Sequence, residues 1–216
     1  MKKLYFVNGS PKVNNSVSEA LIDNLYAMIL NDNIEVNRAS LNNRVNYEDI
    51  TNSDILVIAS PLYVDLLPST VIEFLMNLEQ QTKNMKKLIR VYAVVNCGFF
   101  EGIQNRHALR ILENFCTKVG YEWRFGVGVG AGEFMKNTKS IIPFNSEIKK
   151  DAYNAFMEIK KDIDNDFKYN KENIFTSPRI SKDIFISNGN VYWIEAAERM
   201  SISKEQLYAK TLLENV

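Results

Sequence analysis

Directly after Asp54, the residues Ile55-Leu56-Val57-Ile58-Ala59 run without a polar interruption. A strand with one wet face alternates apolar and polar residues, so a continuous run of this length needs cover on both faces. That requirement implies a sheet with helices on either side. The rest of the chain supplies the pieces. Lys2–Val7, Leu88–Val95 and Tyr121–Val129 read as further strands, and Ile34–Arg38 as a short one of alternating character. Between them lie stretches of helical spacing. Ser16–Leu30 carries Val17, Leu21, Leu25, Met28 and Ile29. Pro68 opens a helix with Val71, Ile72, Leu75, Met76 and Leu78, where its missing N–H costs little. Gln104–Val119 is closed by Gly120, and Ser146–Phe167 turns Ile148, Ala152, Ala155, Phe156, Ile159 and Ile163 inward. Residues 41–53 are polar and read as a loop with a brief helical turn. Strand and helix in alternation imply a doubly wound α/β fold, with five parallel strands in the order 2-1-3-4-5. Ligands of such sheets lie beyond the carboxyl ends of the strands, so the loops after the first, third, fourth and fifth strands are the places to look for chemistry.

Residues 1–167 account for this domain, and residues 168–216 form a C-terminal extension, an arm or lid. Tyr169–Ser177 reads as a linker and Ser187-Asn188-Gly189-Asn190 as a turn or cap. Val191–Met200 has helical spacing. A further helix is expected from Ser203, with Gln206 three residues later as a capping box.

The charges narrow the partners. Lysine plus arginine equals aspartate plus glutamate, 26 each. Zero net charge gives no electrostatic case for nucleic acid or an anionic membrane, and weakens that for an acidic electron carrier docking by charge. The first apolar run, Leu4–Val7, is far shorter than the ~7–15 residues of a signal-peptide core, and no run approaches the roughly 20 apolar residues of a membrane span. A cytoplasmic location is expected, with Cys97 and Cys116 as thiols. Two cysteines are too few for an iron–sulfur cluster, which takes about four. One histidine, His107, argues against a histidine metal site; it lies between Arg106 and Arg110 on a helix and reads as a solvated surface residue.

The first loop, Asn8-Gly9-Ser10-Pro11-Lys12-Val13-Asn14-Asn15-Ser16, joins a buried strand to a helix N-terminus through hydroxyls and amides. The unpaired N–H groups of a first helical turn, together with the dipole, favour an anion there. Lys12 is either a point charge for a phosphate or a solvated loop lysine. After the third strand comes Ser60-Pro61-Leu62-Tyr63-Val64-Asp65-Leu66-Leu67-Pro68, apolar and aromatic and stiffened by two prolines. It suits a flat heteroaromatic ring, or packs on its own helix. After the fourth strand comes Asn96-Cys97-Gly98-Phe99-Phe100, in which Gly98 permits close approach of a ligand. The two phenylalanines are ring contacts, or core or dimer burial. Cys97 has no histidine base near it in sequence and reads as a packing residue. Gly126, Gly128, Gly130 and Gly132 follow a late strand and lack the full dinucleotide spacing, so they read as close-packing positions.

Three of these motifs, in order, resemble the flavodoxin-like NAD(P)H-dependent FMN reductase and oxidoreductase family. They are Gly9-Ser10-Pro11 with Asn15-Ser16, Ser60-Pro61-Leu62-Tyr63 with Asp65 and Pro68, and Asn96-Cys97-Gly98-Phe99. The resemblance covers about residues 1–167 and implies the flavodoxin-like fold with FMN as cofactor and NAD(P)H as co-substrate. It implies phosphate contacts from Ser10, Asn15, Ser16 and the backbone of Val17, with Lys12 and Asn14 nearby. It implies ribityl and ring-edge contacts from Pro61, Leu62, Tyr63 and Val64, and ring contacts from Asn96, Cys97, Gly98 and Phe99. Backbone N–H groups of Asn96–Phe99 are suited to stabilising negative charge on a reduced ring. No side chain is singled out as catalytic. The expected activity passes hydride from reduced nicotinamide to FMN and on to a small-molecule acceptor, in a homodimer. Residues 41–53 contain no cysteine, which excludes the iron–sulfur branch, and they depart from the family's usual helix. A flavodoxin-type electron carrier and a non-catalytic module of the same fold are the alternatives.

Overall fold

The computed structural model describes residues 1–43, 45–82, 87–168 and 171–209. Residue 44 of the 41–53 stretch, residues 169–170 of the expected linker and the part of the last expected helix beyond residue 209 lie outside them. The elements follow one another as β1 (Lys2–Asn8), α1 (Val17–Ile29), β2 (Ile34–Ser40), α2 (Tyr47–Thr51), β3 (Ile55–Pro61), α3 (Ser69–Thr82), β4 (Arg90–Asn96), α4 (Arg106–Val119), β5 (Glu122–Val129), α5 (Gly132–Asn137), α6 (Lys150–Asp164), β6 (Ile174–Thr176) and α7 (Lys182–Arg199).

The sheet has six strands in the order β2-β1-β3-β4-β5-β6, all parallel. The order expected for the first five is present, and the expectation of five strands is corrected by β6. Residues 174–176, expected within a linker, pair with β5 from Val127↔Ile174 to Val129↔Thr176. Glycine makes the room: a Cβ on Gly128 would lie 2.7 Å from the Phe175 ring. The backbone N–H of Gly126 donates to the Asn173 side chain at 2.7 Å, which fixes the entry to the strand. Three residues are too few to show a period, so this strand leaves no pattern of its own.

Burial follows the pleat. On β3, Ile55, Val57 and Ala59 join Leu4, Phe6, Leu21, Leu25 and Ile159 on one face of the sheet. Leu56 and Ile58 join Tyr5, Val7, Val71, Phe74, Leu109 and Leu112 on the other. Each such apolar side chain, fully buried, contributes about 1.5–3 kcal/mol. The chain leaves β1 toward β2 and leaves β3 toward β4, so the winding reverses between β1 and β3, and the loops after them border the switch point.

Two compact units are present, Met1–Arg179 and the segment from Ile180 onward. In the second, α7 runs unbroken through Ser187–Asn190, where a turn or cap was expected. The helix starts earlier than that reading: Ser181 caps it by accepting from the Ile184 N–H at 3.2 Å. An interior glycine costs a helix only about 1 kcal/mol, so Gly189 does not stop it. Ser203 and Gln206 form the reciprocal capping box, with 2.7 and 3.3 Å bonds. Among the described residues, one 3-10 turn follows, over Gln206–Tyr208. No helix among the described residues is long and apolar enough to cross a membrane.

Candidate functional site

The loop from β1 to α1 is held from inside. The Asn8 side-chain carbonyl accepts from the Ser10 N–H at 3.1 Å, and the Ser10 hydroxyl accepts from the Lys12 N–H at 3.2 Å. Ser16 caps α1, its oxygen accepting from the Glu19 N–H at 3.0 Å. That oxygen also receives a longer contact, 3.4 Å, from the Asn8 amide. With its lone pairs engaged, the Ser16 hydroxyl can only donate outward, which suits an anionic oxygen. Asn15 takes a left-handed backbone, φ 53°. Among the described residues, the backbone N–H groups of Asn14, Asn15, Ser16, Val17 and Ser18 have no hydrogen-bond partner. Ser10, Ser16 and Val17 are buried, whereas Lys12, Asn14 and Asn15 are exposed.

Gly9 explains how the loop sits so close to β3. Its N–H donates to the Ala59 carbonyl at 2.7 Å, and a Cβ on it would lie 2.6 Å from Val71 Cγ2. Past β3 the chain makes a miniature hairpin, Tyr63 and Leu66 exchanging bonds of 2.9 and 3.0 Å. Val64 and Asp65 form its turn with φ of 48° and 62°, the left-handed pair that normally selects asparagine and glycine. A β-branched residue there is an outlier that costs on the order of 1–2 kcal/mol. Val64 is 96% exposed at the tip.

The β4 loop closes the third side. The Asn96 amide donates to the Ser18 hydroxyl at 2.9 Å and to the Ser60 carbonyl at 3.1 Å, tying the first turn of α1 to the ends of β3 and β4. The Cys97 N–H donates to the Val129 carbonyl at 3.0 Å, so it is not available to a ligand as the sequence suggested. The N–H groups of Gly98 and Phe99 have no partner among the described residues. The Cys97 sulfur lies 3.7 Å from the carbonyls of Phe99 and Glu101 and 3.5 Å from the Asn105 amide. Burial pushes its thiol pKa up, more than the Phe99 and Asn105 bonds lower it. A protonated, internally bonded thiol is not a nucleophile at neutral pH.

Val17, Pro61, Leu62, Tyr63, Asn96, Cys97, Gly98 and Glu133 line a shallow cavity of about 120 Å³. Seven of the eight were anticipated. Val64 and Phe99 lie outside its lining and are exposed. A Cβ on Gly98 would meet nothing within 4 Å, so the glycine faces open space. His107 is exposed on α4. Larger hollows elsewhere, about 550 Å³ beside Trp123 and Phe175 and about 300 Å³ beside Met1 and Asn33, are away from the switch point.

Three contributors escaped the sequence reading. Asn42 donates to the carbonyls of Ser10 at 2.9 Å and Lys12 at 3.1 Å, bracing the loop from β2. Lys136, on α5, donates to the Asn15 carbonyl at 3.2 Å. Glu133, one turn earlier, lines the cavity and pairs with Lys136 at 3.0 Å. The only hint of α5 in the sequence was the glycine run that precedes it.

No protein-family model matches this sequence, and no curated protein matches it. Solved structures do. An NADPH-quinone reductase from P. pentosaceus is 15% identical, with 76% of this chain and 97% of that one covered and a TM-score of 0.50. An NADH:FMN oxidoreductase is 18% identical over 59% of this chain and 76% of its own, TM-score 0.48. The flavodoxin of Megasphaera elsdenii is 17% identical over 60% and 86%, TM-score 0.47. The strand order β2-β1-β3-β4-β5, with the switch point between β1 and β3 and a reductase matched over nearly its whole length, gives this chain the flavodoxin-like fold.

Proposed function

We propose that this protein is an FMN-dependent oxidoreductase that takes hydride from NAD(P)H and passes electrons to a small-molecule acceptor. The observation that carries the reading is a row of unpaired N–H groups beside an open cavity of mixed polar and apolar lining at one switch point. Unpaired N–H groups from Asn14 to Ser18 lie at one end, and Pro61, Leu62, Tyr63 and Gly98 at the other. The residues suit FMN: donors without partners meet a phosphate, and the open face of Gly98 leaves room for a flat ring. When bound, FMN supplies the capacity to accept hydride and release electrons.

The chain's own part is to hold and tune. Ser10, Ser16 and the free N–H groups at the α1 N-terminus would hold the phosphate by hydrogen bonds, the helix dipole favouring its charge. The hairpin of Tyr63 and Leu66 would support one edge of the ring. The N–H groups of Gly98 and Phe99 favour an electron-rich ring by donating toward it. The buried Cys97 thiol serves as packing beneath that loop. No titratable side chain of the cavity is needed as acid or base. A cytoplasmic homodimer belongs to the same reading.

An absorption spectrum of the purified protein is the first test. Visible flavin bands, or their acquisition on mixing with FMN, are expected. A colourless protein that binds no FMN by calorimetry refutes the reading. Stopped-flow mixing of the FMN-loaded protein with NADH and NADPH then separates enzyme from carrier, because a carrier shows no direct flavin bleaching.

A further inference from the structure

The cation that the sequence offers to a phosphate, Lys12, is exposed on the loop. A second cation reaches the same loop from α5, which packs beside α1 on the same face of the sheet. The Lys136 side chain is only 6% exposed, a degree of burial that lysine almost never shows without a reason. Its ammonium has three donors. One goes to the Asn15 carbonyl at 3.2 Å, and Glu133 lies at 3.0 Å. Glu133 is 60% exposed and lines the cavity, so the charge of this buried amine faces a solvated partner at the mouth of the site. Taking an ammonium out of water against a carbonyl and one half-solvated carboxylate leaves it under-compensated.

The frame behind Lys136 is rigid. The Gly132 N–H donates to the Cys97 carbonyl at 2.8 Å and the Ala131 N–H to the Phe99 carbonyl at 2.5 Å, fastening the start of α5 to the β4 loop. At its other end the buried Lys149 ammonium donates to the carbonyls of Met135 at 3.0 Å and Ile142 at 2.9 Å. The residue next to Lys136 is therefore bonded on its backbone and packed on its side chain, Met135 being part of the core. An amine so held stands beside the left-handed Asn15 without the entropy that a free lysine would lose on binding.

Resting on the FMN reading above, we propose that Lys136 is the cation that reads the flavin's phosphate and makes the site select a phosphorylated flavin over riboflavin. Riboflavin has the same ring and ribityl chain and lacks only the charged group, so the change in the ratio of the two affinities when Lys136 is altered isolates the contribution of this residue.

The test titrates FMN and riboflavin into the purified full-length protein, following flavin fluorescence, for wild type and for Lys136→Met, Lys136→Arg and Lys12→Met. Lys136→Met is expected to weaken FMN by about tenfold or more, the scale of one charge-assisted bond. Its riboflavin affinity should stay within about twofold. Lys136→Arg should keep most of the FMN affinity, and Lys12→Met should change it by about twofold or less, as befits an exposed charge. Equal weakening of both flavins by Lys136→Met, which is what a purely structural amine produces, overturns the proposal. So does unchanged FMN binding in that variant. If Lys136→Met does not fold, Glu133→Gln decides: it keeps the amine and removes a competing carboxylate, so FMN should tighten while riboflavin does not, and weaker FMN binding overturns the assignment. A wild-type protein that binds neither flavin refutes the FMN reading itself. A wild type that binds FMN and riboflavin equally well refutes only the role of Lys136.

Discussion

In the amino half of the sheet, between β4, β5 and α6, the Asp162 carboxylate is fully buried and saturated. It accepts from the Tyr92 hydroxyl at 2.7 Å and from Arg124 at 2.9 and 3.1 Å. Arg124 in turn reaches the Phe167 carbonyl at 2.9 Å and the Glu122 carboxylate. Burial, then the bond to Asp162, pushes the Tyr92 pKa well up, so the phenol remains a donor. At the carboxyl end of the same sheet, the loop Asn14–Ser18 has N–H groups with no partner, and Lys136 is buried with a donor to spare. Both regions place polar atoms beside an apolar core. A closed network fixes the position of a helix, whereas an open set of donors is left to bond with solvent or a ligand.

The comparison breaks most visibly at Asp162. Asp162→Ala strands the Arg124 guanidinium and the Tyr92 hydroxyl, and breaking a buried pair in this way costs about 3–5 kcal/mol. Urea unfolding at neutral pH should show a loss of that order. FMN affinity of the folded variant should be close to wild type, because the network lies at the opposite end of the strands. A loss of FMN binding with little loss of stability would reverse the assignment of the two regions.

Two glycines, one inside β5 and one just past the end of β4, sharpen it. A Cβ on Gly126 would lie 2.4 Å from Leu109 Cδ2 and 3.1 Å from its Cγ, whereas one on Gly98 meets open space. Gly126→Ala forces α4 outward and should cost about 1–3 kcal/mol of stability, with flavin affinity unchanged. Gly98→Leu should leave the unfolding midpoint nearly unchanged and block flavin binding by filling the cavity. A calorimetric titration beside a thermal melt reads both effects, and the same response from the two variants would remove the distinction between packing glycine and site glycine.

Those two glycines also mark how far the sequence could be read. The doubly covered run Ile55–Ala59 required helices on both faces, and the helical spacing in Ser16–Leu30 and Ser146–Phe167 supplied them. Ser16 announced itself as a cap because capping is a local interaction three residues long. The cavity lining was legible for the same reason, lying in loops that directly follow strongly apolar strands. What escaped depends on contacts between residues distant in sequence. The strand β6 exists because Gly128 makes space for Phe175, 47 positions later, and neither residue shows this alone. Lys136 reaches Asn15 across 121 positions, and a single lysine on a six-residue helix looks like any surface lysine. The turn at Val64-Asp65 contradicts local preference outright, since valine disfavours the left-handed region that the hairpin imposes.

At Ser16 the two roles meet in one side chain. Its oxygen caps α1 and its proton is free for a ligand. Ser16→Ala removes the cap and should cost about 1 kcal/mol of stability, measurable as a shift of the urea midpoint. It should also weaken FMN by more than it weakens riboflavin. Ser16→Asp restores a cap and places a negative charge at the anion site, so stability should recover while FMN binding falls further. Recovery of both would mean that the serine acts through the helix alone.

The smallest effect belongs to an exposed ion pair in the amino half, and it separates burial from charge. Asp54 accepts from the Lys3 N–H at 2.8 Å and pairs with Lys87 at 3.0 Å. Burial pulls its pKa up, but the Lys3 N–H and the Lys87 ammonium outweigh that and hold it below the usual carboxylate value. A carboxylate with a lowered folded pKa adds stability that is fully present above its unfolded value, about 3.9, and is lost as pH falls through the folded value. Both side chains are more than a third exposed or close to it, and water screens them, so the contribution is below about 1 kcal/mol. Asp54→Asn should therefore lower the urea midpoint slightly at pH 7, and the difference should shrink as pH falls below about 3.9, the unfolded value. Raising the salt concentration should shrink the difference at pH 7. Asp162→Ala should keep most of its cost under the same salt, because the buried network is shielded from counterions and the exposed pair is not.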